Sequence, residues 1–157
     1  GGDGVIQQTL VLIKPDGLIR SLTGNILTRL SETKLEIVAG KVCRATRELA
    51  EQHYAHLKDK PFFGDLKKFM MQTPVVAMVL EGYDIIEVVR VIVGATNPRK
   101  ADAGTIRSDL SMNVPSNIIH ASDSLEAAAT EIKRFFADDE IFAYDKLTDK
   151  FHFGEGV

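Results

Sequence analysis

The sequence predicts an α+β sandwich in the order βαββαβ, with helices packed on one face of a sheet. Three observations carry this expectation. Apolar runs of strand length alternate with segments whose apolar residues recur at helical spacing. One run, Val75 to Leu80, is apolar throughout without alternation, the pattern of a central strand buried on both faces. The 157 residues contain no repeat, charge block or proline-rich linker that would divide them, so a single domain is expected.

Residues 1–8, which open Gly1-Gly2-Asp3-Gly4, read as a flexible lead. Thr9-Leu10-Val11-Leu12-Ile13 is a first strand, closed by the turn signal Lys14-Pro15-Asp16-Gly17, in which proline presets φ and glycine is permissive. Thr23 is placed to cap a helix carrying Ile26, Leu27 and Leu30. Residues 35–45 form a second strand, with Leu35, Ile37, Ala39 and Lys41 on one side. Thr46 caps a helix with Leu49, Ala50, His53 and Leu57 at helical spacing, and Phe62, Phe63, Leu66, Phe69 and Met70 suggest another. Gly82 breaks the central strand. Asp84 and Glu87 have the spacing of a capping box ahead of Ile85, Val88, Val89 and Ile92, and Gly94 ends that helix as a C-cap glycine. Residues 95–117 are irregular and rich in turn formers. After a short strand from Asn117 to His120, Asp123 and Glu126 repeat the capping-box spacing. An amphipathic helix with Leu125, Ala128, Ala129, Ile132, Phe135 and Phe136 follows. Residues 9–145 are the domain and 146–157 a tail.

Composition narrows the function. A hydrophobic share of 45% and a charged share of 26% are those of an ordinary globule and exclude disordered and collagen-like classes. With 19 Lys and Arg against 22 Asp and Glu, the net charge is −3, which argues against nucleic acid as a main partner. One cysteine, Cys43, sets no disulfide and no metal spacing. The longest apolar run is six residues against the ~20 of a membrane span, so no membrane partner is expected. The N-terminal residues lack the pattern of a secretory signal, and the expected address is cytoplasmic.

Neither a P-loop nor a dinucleotide fingerprint is present, so any phosphate chemistry must use another device. His120 is the most informative residue. It ends a short strand just before a helix that begins at Ser122-Asp123-Ser124, and a helix start gathers open N–H groups and partial positive charge that suit phosphate. A core histidine bonded to backbone is the bland alternative. Glu131 lies on the flank of that helix, either solvated or reaching back to orient the imidazole. Arg90 interrupts an apolar run and is either a water-facing flank residue or an inward phosphate clamp. Arg107 in the turn-rich stretch and Lys14 at a strand end could converge with it, since the guanidinium fork matches phosphate oxygens. His53, His56 and His152 have no comparable context.

The segments Ile13-Lys14-Pro15-Asp16-Gly17, His53-Tyr54, Lys60-Pro61-Phe62-Phe63, Gly94-Ala95-Thr96-Asn97-Pro98, Gly104-Thr105-Ile106-Arg107 and Asn117-Ile118-Ile119-His120-Ala121-Ser122-Asp123-Ser124 closely resemble nucleoside diphosphate kinases. The resemblance runs from about Thr9 to Tyr144. It implies a ferredoxin-like fold: an antiparallel four-stranded sheet with helices and an added long loop. It also implies Mg²⁺-assisted, ping-pong transfer of the γ-phosphate from a nucleoside triphosphate, typically ATP, to a nucleoside diphosphate. By that resemblance His120 is the nucleophile, phosphorylated on its δ nitrogen. Glu131 holds the other nitrogen, Ser122 stands beside it, and Tyr54 supports the site. Arg90, Thr96 and Arg107 match phosphate ligands, and Lys14 and Asn117 match groups that bind sugar hydroxyls and phosphates. Phe62 and Val114 match the two sides of the base slot. No side chain is implied as a metal cage, Mg²⁺ being carried on the nucleotide phosphates. The implied assembly is a homo-oligomer, a hexamer before a tetramer. Lys60, Ala103, Ser108 and Pro115 depart from the usual pattern, as does the ending Phe151-His152-Phe153-Gly154-Glu155-Gly156-Val157. A nucleotide-binding scaffold without turnover and a phosphohistidine carrier to another protein are the competing readings.

Overall fold

A computed structural model of the chain describes residues 4–114 and 116–144. Strand β1 spans Ile6–Ile13, and helices α1 (Pro15–Ile19) and α2 (Thr23–Ser31) lead to β2 (Glu36–Cys43). Helices α3 (Arg47–His53) and α4 (Phe63–Met71) then precede β3 (Val75–Tyr83), which feeds α5 (Ile85–Val93). Short α6 (Ile106–Leu110) lies in the stretch expected to be irregular. The last strand and long helix are β4 (Ile119–Ala121) and α7 (Leu125–Phe135). The sheet order is β2-β3-β1-β4 and every neighbouring pair is antiparallel, the βαββαβ ferredoxin-like arrangement expected.

The core sits around β1. Leu10, Val11, Leu12 and Ile13 are all fully buried. Successive strand residues point to opposite faces, so both faces of the sheet are covered rather than one. Helices α5 and α7 both lie against β1. Strand β3 is buried through Val79 and Leu80 as its unbroken apolar run predicts.

Six local expectations are corrected. Ile6, Gln7 and Gln8 pair with Tyr83, Gly82 and Glu81, so β1 reaches three residues into the expected lead and β3 runs through Gly82. Backbone pairing needs no apolar side chain, which is why hydrophobicity understates both ends. A bulge between Ile37 and Ala39 breaks the alternation of β2, leaving Ile37 exposed while Val38 and Ala39 are buried. Thr23 lies inside α2, whose N-cap is Leu22. Asp84 takes a left-handed conformation (φ 50°) and makes no cap bond, while the cap of α7 is Ser124, whose hydroxyl accepts from the Ala127 N–H at 3.0 Å. Spacing alone cannot tell Asp123 from its neighbour, and the one-residue shift leaves Leu125 exposed. Thr46 caps α3 as expected, accepting from the Leu49 N–H at 3.2 Å. Pro115 and the tail after residue 145 lie outside the described residues.

Gly94 ends α5 at φ +90°, where a Cβ would meet Thr105 Oγ1 at 2.5 Å. Its carbonyl also accepts from Arg107 Nη1. Gly94→Ala should therefore lower unfolding free energy by about 1–3 kcal/mol in urea titration, the scale of a forced left-handed residue plus a steric clash.

Candidate active site

Strand β4 is short because its neighbouring backbone is unusual. Ile118, a fully buried β-branched residue, has φ +59°. That conformation is strained by about 1–3 kcal/mol and needs an over-determined setting. The setting comes from the N-cap and first turn of α1, a helix where the sequence reads as a turn: the Lys14 N–H donates to the Ile118 carbonyl at 2.8 Å, and the Ile118 N–H donates to Asp16 Oδ2 at 3.0 Å. Burial raises the Asp16 carboxyl pKa, opposed by Lys14 and by backbone N–H groups. The Lys-Pro-Asp-Gly segment that opens α1 thus sets the path of the chain two residues before His120.

His120 stands opposite Leu12 of β1. Its Nε2 lies 2.9 Å from Glu131 Oε1, and the same oxygen accepts from the Ser122 hydroxyl at 2.7 Å. Ser122 is fully buried and anchored in turn, its Oγ accepting from the Leu10 N–H at 3.1 Å. Burial pushes the Glu131 pKa up, but the hydrogen bonds from His120 and Ser122, with the charge of Arg134, outweigh it and hold it below the ordinary value of 4.5. An ionised carboxylate accepts only, so Nε2 carries a proton, and in the neutral imidazole the lone pair is then on Nδ1. Nδ1 has no hydrogen-bond partner among the described residues.

The ring lines a cavity of about 1320 Å³. Lys14, Arg90 and Arg107 line it too, and Arg107 stands close enough to Arg90 and Lys14 for their charges to be felt, so the structure brings the three cations together. Arg107 is buried and held by backbone: Nη2 donates to the Ile119 carbonyl at 2.7 Å and Nη1 to that of Gly94 at 3.0 Å. Burial and then the neighbouring Arg90 push its pKa down to about 10. Arg90 Nη1 donates to the Ala121 carbonyl at 3.3 Å, which turns it inward from its helix flank. Burial, then Arg107, lowers Lys14 to about 8, and Asp16 partly offsets this. Lys14 Nζ donates to Asn117 Oδ1 at 2.9 Å, and Asn117 Nδ2 donates to the Thr96 carbonyl at 3.3 Å. At the mouth, Phe62 and Val114 line the cavity and are each 46% exposed, leaving their apolar faces available. This is a pocket for a polyanion with a flat apolar end.

A family model described as nucleoside diphosphate kinase matches residues 7–141. The chain belongs to the nucleoside diphosphate kinase family. It is 49% identical over 149 residues to a nucleoside diphosphate kinase of Pyrococcus abyssi, covering 93% of this chain and 94% of that one. It is 51% identical over 144 residues to one of Listeria monocytogenes serotype 4a, covering 92% and 98%. The structure of a halophilic nucleoside diphosphate kinase from Halobacterium salinarum in complex with CDP is similar at a TM-score of 0.89 and 43% identity. That likeness covers 94% of this chain and 98% of the other.

In this nucleoside diphosphate kinase family member, ten of the residues singled out from sequence line one cavity: Lys14, Tyr54, Phe62, Arg90, Thr96, Arg107, Val114, Asn117, His120 and Glu131. Ser122 lies behind them, reaching Glu131. Tyr54 is buried, and burial followed by the charge of Asp16 pushes its hydroxyl up to about 12. Sequence reasoning passed over Asp16 and His53. Asp16 reads from sequence as a turn residue, though it lies in α1, and His53 reads as one more apolar-face position of α3. The adjacency of His53 to Tyr54 was the available signal.

A carboxylate held below its ordinary pKa contributes stability that is complete above 4.5 and lost as pH falls through the folded-state value. Thermal unfolding of the native chain should therefore drop in acid below that value. Glu131→Gln should be less stable than native near neutrality and should shed less of its stability over the same acid range.

Proposed function

We propose that the chain transfers a γ-phosphate from a nucleoside triphosphate to a nucleoside diphosphate through a phosphohistidine at His120. The observation that carries this reading is the Nε2-to-Glu131 hydrogen bond, which leaves Nδ1 as the lone-pair nitrogen of a neutral ring in a cavity that Lys14, Arg90 and Arg107 also line. In the first half-reaction the Nδ1 lone pair attacks the γ-phosphorus. The Nδ1–P bond forms, the bond from that phosphorus to the β–γ bridging oxygen breaks, and the nucleoside diphosphate leaves with the electron pair. The ring keeps its Nε2 proton and gains positive charge, which Glu131 faces directly. The second half-reaction is the reverse, with another nucleoside diphosphate as acceptor, so one pocket serves donor and acceptor.

Phosphoryl transfer asks for positioning and for positive charge around the equatorial oxygens. Arg90, Arg107 and Thr96 serve the transferred and bridging phosphates, with Arg107 prealigned by its two backbone carbonyls. Lys14 and Asn117, already bonded to one another, serve sugar hydroxyls and phosphates. Tyr54 supports the imidazole. Phe62 and Val114 hold the base, and stacking tolerates every base because each has a π-face. Among the described residues no three His, Cys, Asp or Glu side chains group as a metal cage. The cavity offers the isolated carboxylates Asp65, Asp123 and Glu126 instead. That donor set fits Mg²⁺ carried on phosphate oxygens, with at most one or two carboxylates nearby. When bound, Mg²⁺ neutralises charge on the phosphates. A homo-oligomer, hexameric before tetrameric, is part of the same reading. No helix among the described residues is long and apolar enough to cross a membrane, and the proposed address is cytoplasmic.

Incubation with γ-labelled ATP should give an acid-labile, base-stable label on the protein that passes to added GDP. His120→Ala should keep the fold by circular dichroism and take up no label. A labelled alanine variant would remove His120 from this role. Phe62→Ala should weaken ADP binding by about 1–3 kcal/mol in calorimetry, the range for base–aromatic stacking, with the phosphorylated residue unchanged.

A further inference from the structure

The cavity wall holds one buried titratable side chain that this chemistry does not use. His53, the last residue of α3, is 7% exposed. Its ring centroid lies 4.5 Å from that of His120, with the two planes at 81°. On its other sides it meets Tyr54 at 4.9 Å and 74°, and Phe135 at 6.4 Å and 84°. Tyr54, just after α3, and Phe135 of α7 therefore wedge His53, and His53 abuts the imidazole of β4.

Glu131 restrains His120 at one atom. A single hydrogen bond at Nε2 sets the direction of that N–H but leaves the ring free to rock about it, and the terminal torsion of an imidazole is broad. A flat ring set nearly perpendicular against it removes this freedom, because rocking drives one ring into the other. The contact also requires an uncharged His53, since positive charge develops on the adjacent ring during transfer. Burial drives the His53 pKa down to about 2, and His120, Lys14, Arg134 and His56 all act in the same direction. Buried Nδ1 of His53 has no hydrogen-bond partner among the described residues. Its polarity is thus not used there, and the shape of the ring remains.

We propose that His53 is a positioning residue whose ring plane holds the His120 imidazole so that Nδ1 meets the incoming phosphorus in line. This rests on the reading of His120 as the nucleophile. The test compares the native chain with His53→Phe, which keeps a flat ring without nitrogens, and His53→Leu, which keeps apolar bulk without a plane. Single-turnover phosphorylation by γ-labelled ATP, ADP affinity and thermal unfolding are measured for all three. His53→Leu should slow phosphorylation about 10- to 100-fold with ADP affinity within about threefold, the scale of a small misplacement of a reacting atom, while His53→Phe stays within about threefold of native. Equal rates in all three proteins would overturn the proposal. So would a loss shared by both variants, which would assign the role to a nitrogen, or a loss of ADP affinity parallel to the loss of rate. Should His53→Leu fail to fold, His53→Phe decides alone: a near-native rate supports the ring, a large loss refutes it. A native chain that takes up no label overturns the underlying phosphohistidine reading itself, which a labelled native chain with indifferent variants leaves standing.

Discussion

The 2.9 Å hydrogen bond between His120 Nε2 and Glu131 Oε1 governs the cavity, because it selects which imidazole nitrogen keeps a lone pair. Everything around it maintains that selection. Ser122 donates to the same carboxylate oxygen and is itself anchored on the backbone of β1, so the acceptor is fixed from both sides. The carboxylate stays ionised in spite of burial, because two hydrogen-bond donors and the nearby Arg134 outweigh the cost of desolvation. An acceptor-only group at Nε2 is a stronger statement about chemistry than proximity alone, since a protonated carboxyl could have donated instead.

A second layer of constraint lies in the backbone. Ile118 is held in a left-handed conformation that a buried β-branched residue ordinarily avoids. Its N–H and its carbonyl are each engaged by the first turn of α1 and its N-cap, through Asp16 and the Lys14 amide. The same turn thereby places the Lys14 side chain in the cavity and sets the chain path into β4. One short motif does both jobs, which explains why a turn-forming sequence sits beside a cluster of cations.

The cations themselves illustrate how an acidic protein builds a basic pocket. Arg107 and Lys14 are buried near one another at a cost visible in their lowered pKa values. Backbone carbonyls and Asn117 occupy some of their donors, so geometry is set before any polyanion arrives. Preorganised donors of this kind need little rearrangement during charge transfer.

Much of this was legible in the sequence, and the limits have physical causes. The strand and helix order followed from apolar periodicity, since side-chain burial imposes periods of two and 3.6 on any packed element. The recurrence of specific strings from Lys14-Pro15-Asp16-Gly17 to the segment around His120 carried the family. Local pattern misjudged what depends on partners far along the chain. The ends of β1 and β3 are set by each other's hydrogen bonds, the β2 bulge by register against β3, and the left-handed Asp84 by its place between strand and helix. Composition left open whether Lys14, Arg90 and Arg107 converge, because their separation in the chain says nothing of distance in space. His53 escaped notice for the same reason: on α3 it is an ordinary inward residue, and only folding sets its ring against His120. The sequence by itself determined the element order, the family and the candidate nucleophile; tertiary structure alone decided the tautomer, the shared cationic wall and the aromatic brace, because each is a contact between residues remote in sequence.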